Sequence, residues 1–189
     1  MKNRLRTFIA VSLSPSILAG IEKLMRTLQS NGEGVHWVEP QNLHITLKFL
    51  GDVPLNDLPQ LIRTLTQSVC QNYSFDLTLQ GFGAFPNLES PKTIWIGCRE
   101  GAEELGQLAE MINESLRPLG FPKEARRFSP HLTIGRVKKP AQRSPLMPIL
   151  DANQNRLFGS CSISEVQIFA SELTRRGPIY TELAAVALQ

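Results

Sequence analysis

One short pattern recurs in the two halves of this chain: His44-Ile45-Thr46-Leu47 and His131-Leu132-Thr133-Ile134, both His-apolar-Thr-apolar. Each copy lies in a strand-like run. Leu43 to Leu50 alternates, and Leu132 to Val137 has strand character. Strand side chains two apart share a face, so the His and Thr of each copy point one way and the apolar pair the other. Each copy therefore presents an imidazole and a hydroxyl roughly 6–7 Å apart on a rigid element. The pattern predicts two like strands with Ile45, Leu47, Leu132 and Ile134 turned into a core. Two imidazoles facing each other across a cleft supply a general acid and a general base.

The rest of the chain reads as helices interleaved with strands. A first strand spans about Arg4 to Leu13. Ser14 is an N-cap with Pro15 at the first helical position, and Ile17, Leu18, Ile21, Leu24, Met25 and Leu28 recur at helical spacing. The first His strand closes at Gly51-Asp52. A second helix runs from about Leu55 to Cys70 and a third from Ala102 to Leu119. Strands are expected at Phe75 to Phe82 and Thr93 to Cys98, joined by the Pro/Gly-rich stretch Gly83 to Pro91. A loop rich in Pro, Asn and Gln follows the second His strand, and strands around Ser160 to Ala170 and Ile179 to Leu188 end the chain. Several strands are adjacent in sequence, so the class is α+β with antiparallel sheet. Strand-helix-strand appears in each half, so residues 1–189 are expected to form one domain of two lobes. These are related by a pseudo-two-fold, with helices on the outer faces and a central cleft.

Composition narrows the partners. Hydrophobic content of 42% and charged content of 20% are those of a folded globular protein rather than a disordered one. The net charge of +3 is a mild basic excess, compatible with a phosphate-bearing ligand. Arg126-Arg127, Arg136 and Lys138-Lys139 flank the second motif, and Arg175-Arg176 form another pair; as isolated pairs these equally read as solvated surface. Cys70, Cys98 and Cys161 show neither a CxxC nor a ligand-spaced His, against a disulfide framework or a zinc site. A reducing cytoplasm fits them. The apolar run after Arg6 is cut by Ser12 and Ser14-Pro15, which favours a first strand over a leader peptide. No stretch is long enough to span a membrane. The third histidine, His36, lacks the pattern and sits beside Trp37, so it reads as a strand-end or packing residue outside the site.

With their flanks, the motifs resemble the two-histidine phosphoesterase superfamily, most closely its RNA 2′,3′-cyclic phosphodiesterase branch, also called the 2′-5′ RNA ligase family. The residues that carry the likeness are Arg6-Thr7-Phe8-Ile9-Ala10, Asn42 to Gly51, Gly83-Ala84-Phe85-Pro86 and Phe128 to Arg136. Trp95-Ile96-Gly97, Ser171-Glu172-Leu173 and Gly177-Pro178-Ile179-Tyr180 add to it. The resemblance implies a two-lobed fold with both motifs lining the cleft and metal-free hydrolysis of a cyclic phosphate, with reversible RNA joining. It also implies that His44 donates a proton to the 3′ oxygen and His131 accepts one from water, leaving a 2′-phosphate.

The residues themselves suit that chemistry. Imidazole titrates near 6.5, so one ring is neutral and its partner protonated near neutral pH. Thr46 and Thr133 hydroxyls donate to non-bridging phosphate oxygens. Arg136 matches a basic family position, yet lies five residues after His131, on the opposite face of a regular strand. A bulge at Gly135 would turn it inward. Phe8 and Phe49 are candidates to stack on a base, and Arg127 to meet an RNA phosphate. The expected partners are RNA with 2′,3′-cyclic phosphate ends or cyclic nucleotides, with no membrane, no metal and no cofactor, and the protein is expected to be a monomer. The rival class is an RNA-end-binding module that uses the same cleft without turnover. A metallohydrolase is disfavoured because no carboxylate stands at ligand spacing from either motif His. The absence of GxxxxGK[ST] argues against an ATP-dependent ligation scheme.

Overall fold

The computed structural model describes residues 3–124, 127–138, 146–175 and 177–189. Arg126, Lys139 and Arg176 of the basic pairs lie outside them. Strand β1 (Arg4–Val11) leads to Ser14, whose hydroxyl accepts from the Ile17 N–H and caps α1 (Pro15–Gln29). That helix buries Ile17, Ile21, Met25 and Leu28, the stripe that its spacing predicts. A short β2 (Val35–Trp37) and a 3-10 turn at Pro40–Asn42 precede β3 (Ile45–Pro54). There follow α2 (Leu58–Val69), β4 (Phe75–Phe85), β5 (Thr93–Cys98) and α3 (Ala102–Leu116). The chain ends with β6 (His131–Val137), α4 (Leu146–Ala152), β7 (Leu157–Ile163), β8 (Glu165–Thr174) and β9 (Gly177–Ala187).

The strands form two antiparallel sheets, ordered β3-β1-β8-β9 and β2-β6-β5-β4-β7. Apart from β2, each strand of the second has a counterpart in the first: β6 with β3, β5 with β1, β4 with β8, β7 with β9. The architecture is α+β, two-lobed and duplicated, and each His strand pairs with the strand before its helix. The helices cross over. α1 follows β1 yet contacts β7 and β2 of the five-stranded sheet, whereas α3 follows β5 yet contacts β3. α2 meets α3 and β9, and α4 meets β4. Each sheet is thus covered partly by a helix from the other half, and the buried side chains of both lobes form one continuous cluster.

Three local expectations need correction. Gly51-Asp52 does not end the first His strand; β3 continues to Pro54, with Gly51 at φ +72° beside a register shift. A glycine at positive φ serves a bulge as readily as a turn, which is why its presence misled. The stretch after β6 is not all loop, since α4 buries Leu146 and Leu150 one turn apart, with Pro148 in its first turn where a missing N–H costs little. Third, Ser160 to Ala170 is not one strand. β7 and β8 lie in different sheets, separated only by Ser164, whose carbonyl accepts from the Leu188 N–H. No Gly or Pro marks that crossing.

Candidate active site

His44 stands one residue before β3, and His131 opens β6, so the two imidazoles belong to different sheets and line the walls of one cleft of about 2340 Å³. Their settings repeat. His44 Nδ1 lies 2.8 Å from the carbonyl of Asn42, and His131 Nδ1 lies 2.6 Å from that of Ser129, in each case two residues back. A carbonyl only accepts, so Nδ1 carries the proton in both rings and Nε2 is left for chemistry. In neutral His44 that Nε2 accepts from the Thr46 hydroxyl at 3.0 Å.

Asn42 is itself fixed. It is buried, and its side-chain amide donates to the Pro178 carbonyl at 2.9 Å, tying the turn before His44 to the start of β9. Aromatic rings wall both histidines. Phe8 stacks on His44 at 4.7 Å between centroids, and Tyr180 meets it edge-on at 5.3 Å. Phe85 meets His131 edge-on at 5.0 Å, with Trp95 at 6.2 Å. The Trp95 ring lies over Gly83, where any β-carbon would collide with it.

The same irregularity recurs behind each motif. Strand pairing passes from Thr46 to Lys48 opposite Ala10 and Ile9, and from Thr133 to Gly135 opposite Trp95 and Ile94. Leu47 and Ile134, the fourth motif residues, are therefore bulged, and both are buried. One extra residue reverses the alternation, so Arg136 shares the face of His131 and Thr133. The bulge sits one residue before Gly135, the position expected from the spacing of His131 and Arg136. Arg136 lines the cleft, and its charge pushes down the pKa of both histidines. It pairs with no described carboxylate.

Burial is the largest influence on both imidazoles and lowers their pKa below the ordinary value; the Asn42 and Ser129 carbonyls oppose it, and Arg136 adds to it. Burial also raises the Tyr180 phenol, against the pull of Arg136 and Arg6. Thr133 and Arg127 line the cleft as well.

Two placements differ from expectation. Phe8 is 4% exposed and packed against His44, Phe169, Tyr180 and Phe49, so it backs the histidine and offers no free face to a base. The exposed ring on that wall is Phe49, at 61%. His36, set aside in the sequence, is exposed and lines the cleft. Asn42, Ser129 and Tyr180 stand in the segments that carry the family likeness, but nothing in the sequence assigns them a role in the site. The first two act through backbone carbonyls that any residue would supply, and Tyr180 arrives from β9. Among the described residues no group of three His, Cys, Asp or Glu stands where it would hold a metal ion. No described helix is long and apolar enough to cross a membrane.

A His-x-Thr-x strand in each sheet of a duplicated α+β fold, both lining one cleft, is the arrangement of the two-histidine phosphoesterases. The 2′-5′ RNA ligase superfamily model matches residues 13–175, and this chain belongs to that family. It is 36% identical over 185 residues to the RNA 2′,3′-cyclic phosphodiesterase of Methanothermobacter thermautotrophicus, covering 98% of this chain and 100% of that one. It is 37% identical over 179 residues to the protein of the same name from Archaeoglobus fulgidus, covering 95% and 98%. Among solved structures, a protein from Thermus thermophilus superposes with a TM-score of 0.82 at 29% identity, covering 97% of both chains. Escherichia coli LigT complexed with 3′-AMP superposes at 0.79 and 28% identity, covering 98% and 99%.

Proposed function

We propose that this cleft hydrolyses the 2′,3′-cyclic phosphodiester at an RNA 3′ end to a 2′-phosphomonoester, with His44 and His131 as the acid–base pair and no metal ion. The observation that carries the reading is the twinned tautomer control, Nδ1 of each ring donating to a carbonyl two residues back. A binding site needs no such matched pair; proton transfer at two opposite oxygens does.

In the step, water attacks phosphorus while His131 Nε2 takes its proton. The bond from phosphorus to the 3′ oxygen breaks, and protonated His44 Nε2–H delivers its proton to that oxygen. The ester to the 2′ oxygen survives. Thr46, Thr133 and Arg136 hold the non-bridging oxygens as negative charge grows on them. Phe49 offers its exposed ring to the base. With the 5′ hydroxyl of a second RNA in place of water, the same step leaves a 2′-5′ linkage, so hydrolysis and joining share one acid–base pair.

The experiment is incubation of a short RNA bearing a 2′,3′-cyclic phosphate with the protein in excess EDTA, followed by identification of the product end. A 2′-phosphate formed at an undiminished rate is expected. A 3′-phosphate would reverse the assignment of acid and base. Loss of turnover restored by a divalent ion would overturn the metal-free route, and binding without turnover would leave the binding-module reading.

A further inference from the structure

The third histidine opens a second contact point in the cleft. β2 is the edge strand of the five-stranded sheet, and His36 pairs directly across it with Arg136 of β6. Side chains directly opposite in an antiparallel pair stand on one face, with β-carbons about 4.5–5.5 Å apart. His36 therefore shares the face of Arg136, Thr133 and His131. Its neighbour Trp37 turns the other way, onto Gly32 and Gly135. On the far side of Arg136, β5 places Thr93 opposite it. The row His36–Arg136–Thr93 runs across the sheet one step beyond Thr133, and all three line the cleft.

Resting on the cyclic-phosphodiesterase reading, we infer that His36, beside Arg136, is a binding site for a second phosphate, the internucleotide phosphate upstream of the reacting one. Three observations favour it. Arg136 makes no ion pair with a described carboxylate, so its charge is available to ligand on both sides of its row. Among the described residues the sheet ends at β2, so a polynucleotide lying in the cleft leaves over an edge strand with no further described strand in its path. A volume of about 2340 Å³ is more than the roughly 300–1,000 Å³ of an ordinary small-ligand pocket, so there is room for more than one nucleotide. Glu39, three residues on, also lines the cleft but lies past the end of β2, beside the 3-10 turn. The substrate class that this site selects is an oligonucleotide with at least one internal phosphate, in preference to a cyclic mononucleotide. Imidazole N–H donation to a phosphate oxygen is the contact, as in grooves that track a single strand by its backbone.

The test compares kcat/KM on a trinucleotide ending in a 2′,3′-cyclic phosphate with kcat/KM on a 2′,3′-cyclic mononucleotide, in the unaltered chain and in His36→Ala, His36→Lys and His36→Phe. His36 lies exposed on a short edge strand, so all three variants are expected to fold, with circular dichroism as the check. The preference for the trinucleotide should fall about fivefold to tenfold in His36→Ala, the scale of one ordinary hydrogen bond. His36→Lys should keep it and His36→Phe should not. An unchanged preference in His36→Ala overturns the inference, and so does rescue by Phe rather than Lys, which would mark a base-stacking contact. Failure of the unaltered chain to turn over either substrate would count against the activity itself. Binding of a trinucleotide 3′-phosphate against a mononucleotide 3′-phosphate, read by competition, then decides the site independently.

Discussion

Phe49 and Arg136 occupy the same place in the two lobes. Each lies five residues after its histidine, beyond the bulge at the fourth motif residue, and each pairs across the sheet with a cleft residue: Phe8 opposite Phe49, Thr93 opposite Arg136. In a regular strand both would face away from the histidine; the extra residue returns them to its face. The duplicated fold thus carries unlike groups at equivalent points, an exposed aromatic ring on one wall and, on the other, a guanidinium with no described carboxylate partner. A nucleotide has one apolar end and one anionic end, and a symmetric cleft would not tell them apart.

That asymmetry separates two roles. Phe49→Ala should raise KM for a cyclic-phosphate substrate by about fivefold to 150-fold with a smaller change in kcat, since stacking on a base contributes roughly 1–3 kcal/mol by alanine substitution. Phe8→Ala should instead lower the thermal midpoint, because that ring is buried against three aromatic neighbours and His44. Steady-state kinetics beside thermal unfolding distinguishes the two, and equal KM effects would return Phe8 to the binding surface.

The histidines should act as a unit. His44→Ala and His131→Ala are each expected to lower kcat/KM by at least about 10²-fold, and the double variant by far less than the product of the two. Thr46→Val and Thr133→Val should each cost on the order of tenfold, because other donors to the phosphate remain. Multiplicative losses in the double variant would mean that the two rings serve separate steps.

The pH profile carries a signed prediction. Burial and Arg136 both hold His44 and His131 below the ordinary histidine value, so the bell in kcat/KM, which reports the free protein, should peak on the acid side of about pH 6.5. Removing a nearby positive charge makes protonation easier and raises both pKa values. Arg136→Gln should therefore move both limbs of the bell toward higher pH while lowering its height. A profile that falls in height without moving would place Arg136 too far from the rings to act on them.

Lys48 makes a prediction about stability. It is 1% exposed, on the rear of the His44 strand, and its ammonium donates to the Asn113 side-chain oxygen and to the Pro122 carbonyl. Burial lowers its pKa, and Glu124 opposes that shift. Lys48→Met keeps the apolar stem but strands those acceptors, at a cost of about 2–3 kcal/mol. Urea unfolding should show a lower midpoint at unchanged slope. No loss of stability would mean that the acceptors find water.

Much of the fold was legible because it rests on local periodicity. The stripe from Ile17 to Leu28, the one from Leu105 to Leu116, and the His-x-Thr-x alternation each declare which side of an element is buried. A single burial direction is a property of spacing alone. The two catalytic candidates and their hydroxyl neighbours were legible for the same reason. What spacing cannot encode is the partner across a strand pair. The bulges at Leu47 and Ile134, the turn of Arg136 into the cleft, the arrival of His36 opposite it and the covering of Phe8 all depend on register between segments far apart in the chain. Lys48 shows the limit most plainly. A lysine in a strand reads as solvent-facing, and only the approach of Asn113 and Pro122 from the other lobe makes its burial tolerable, because a buried charge is stable where acceptors meet it and not otherwise.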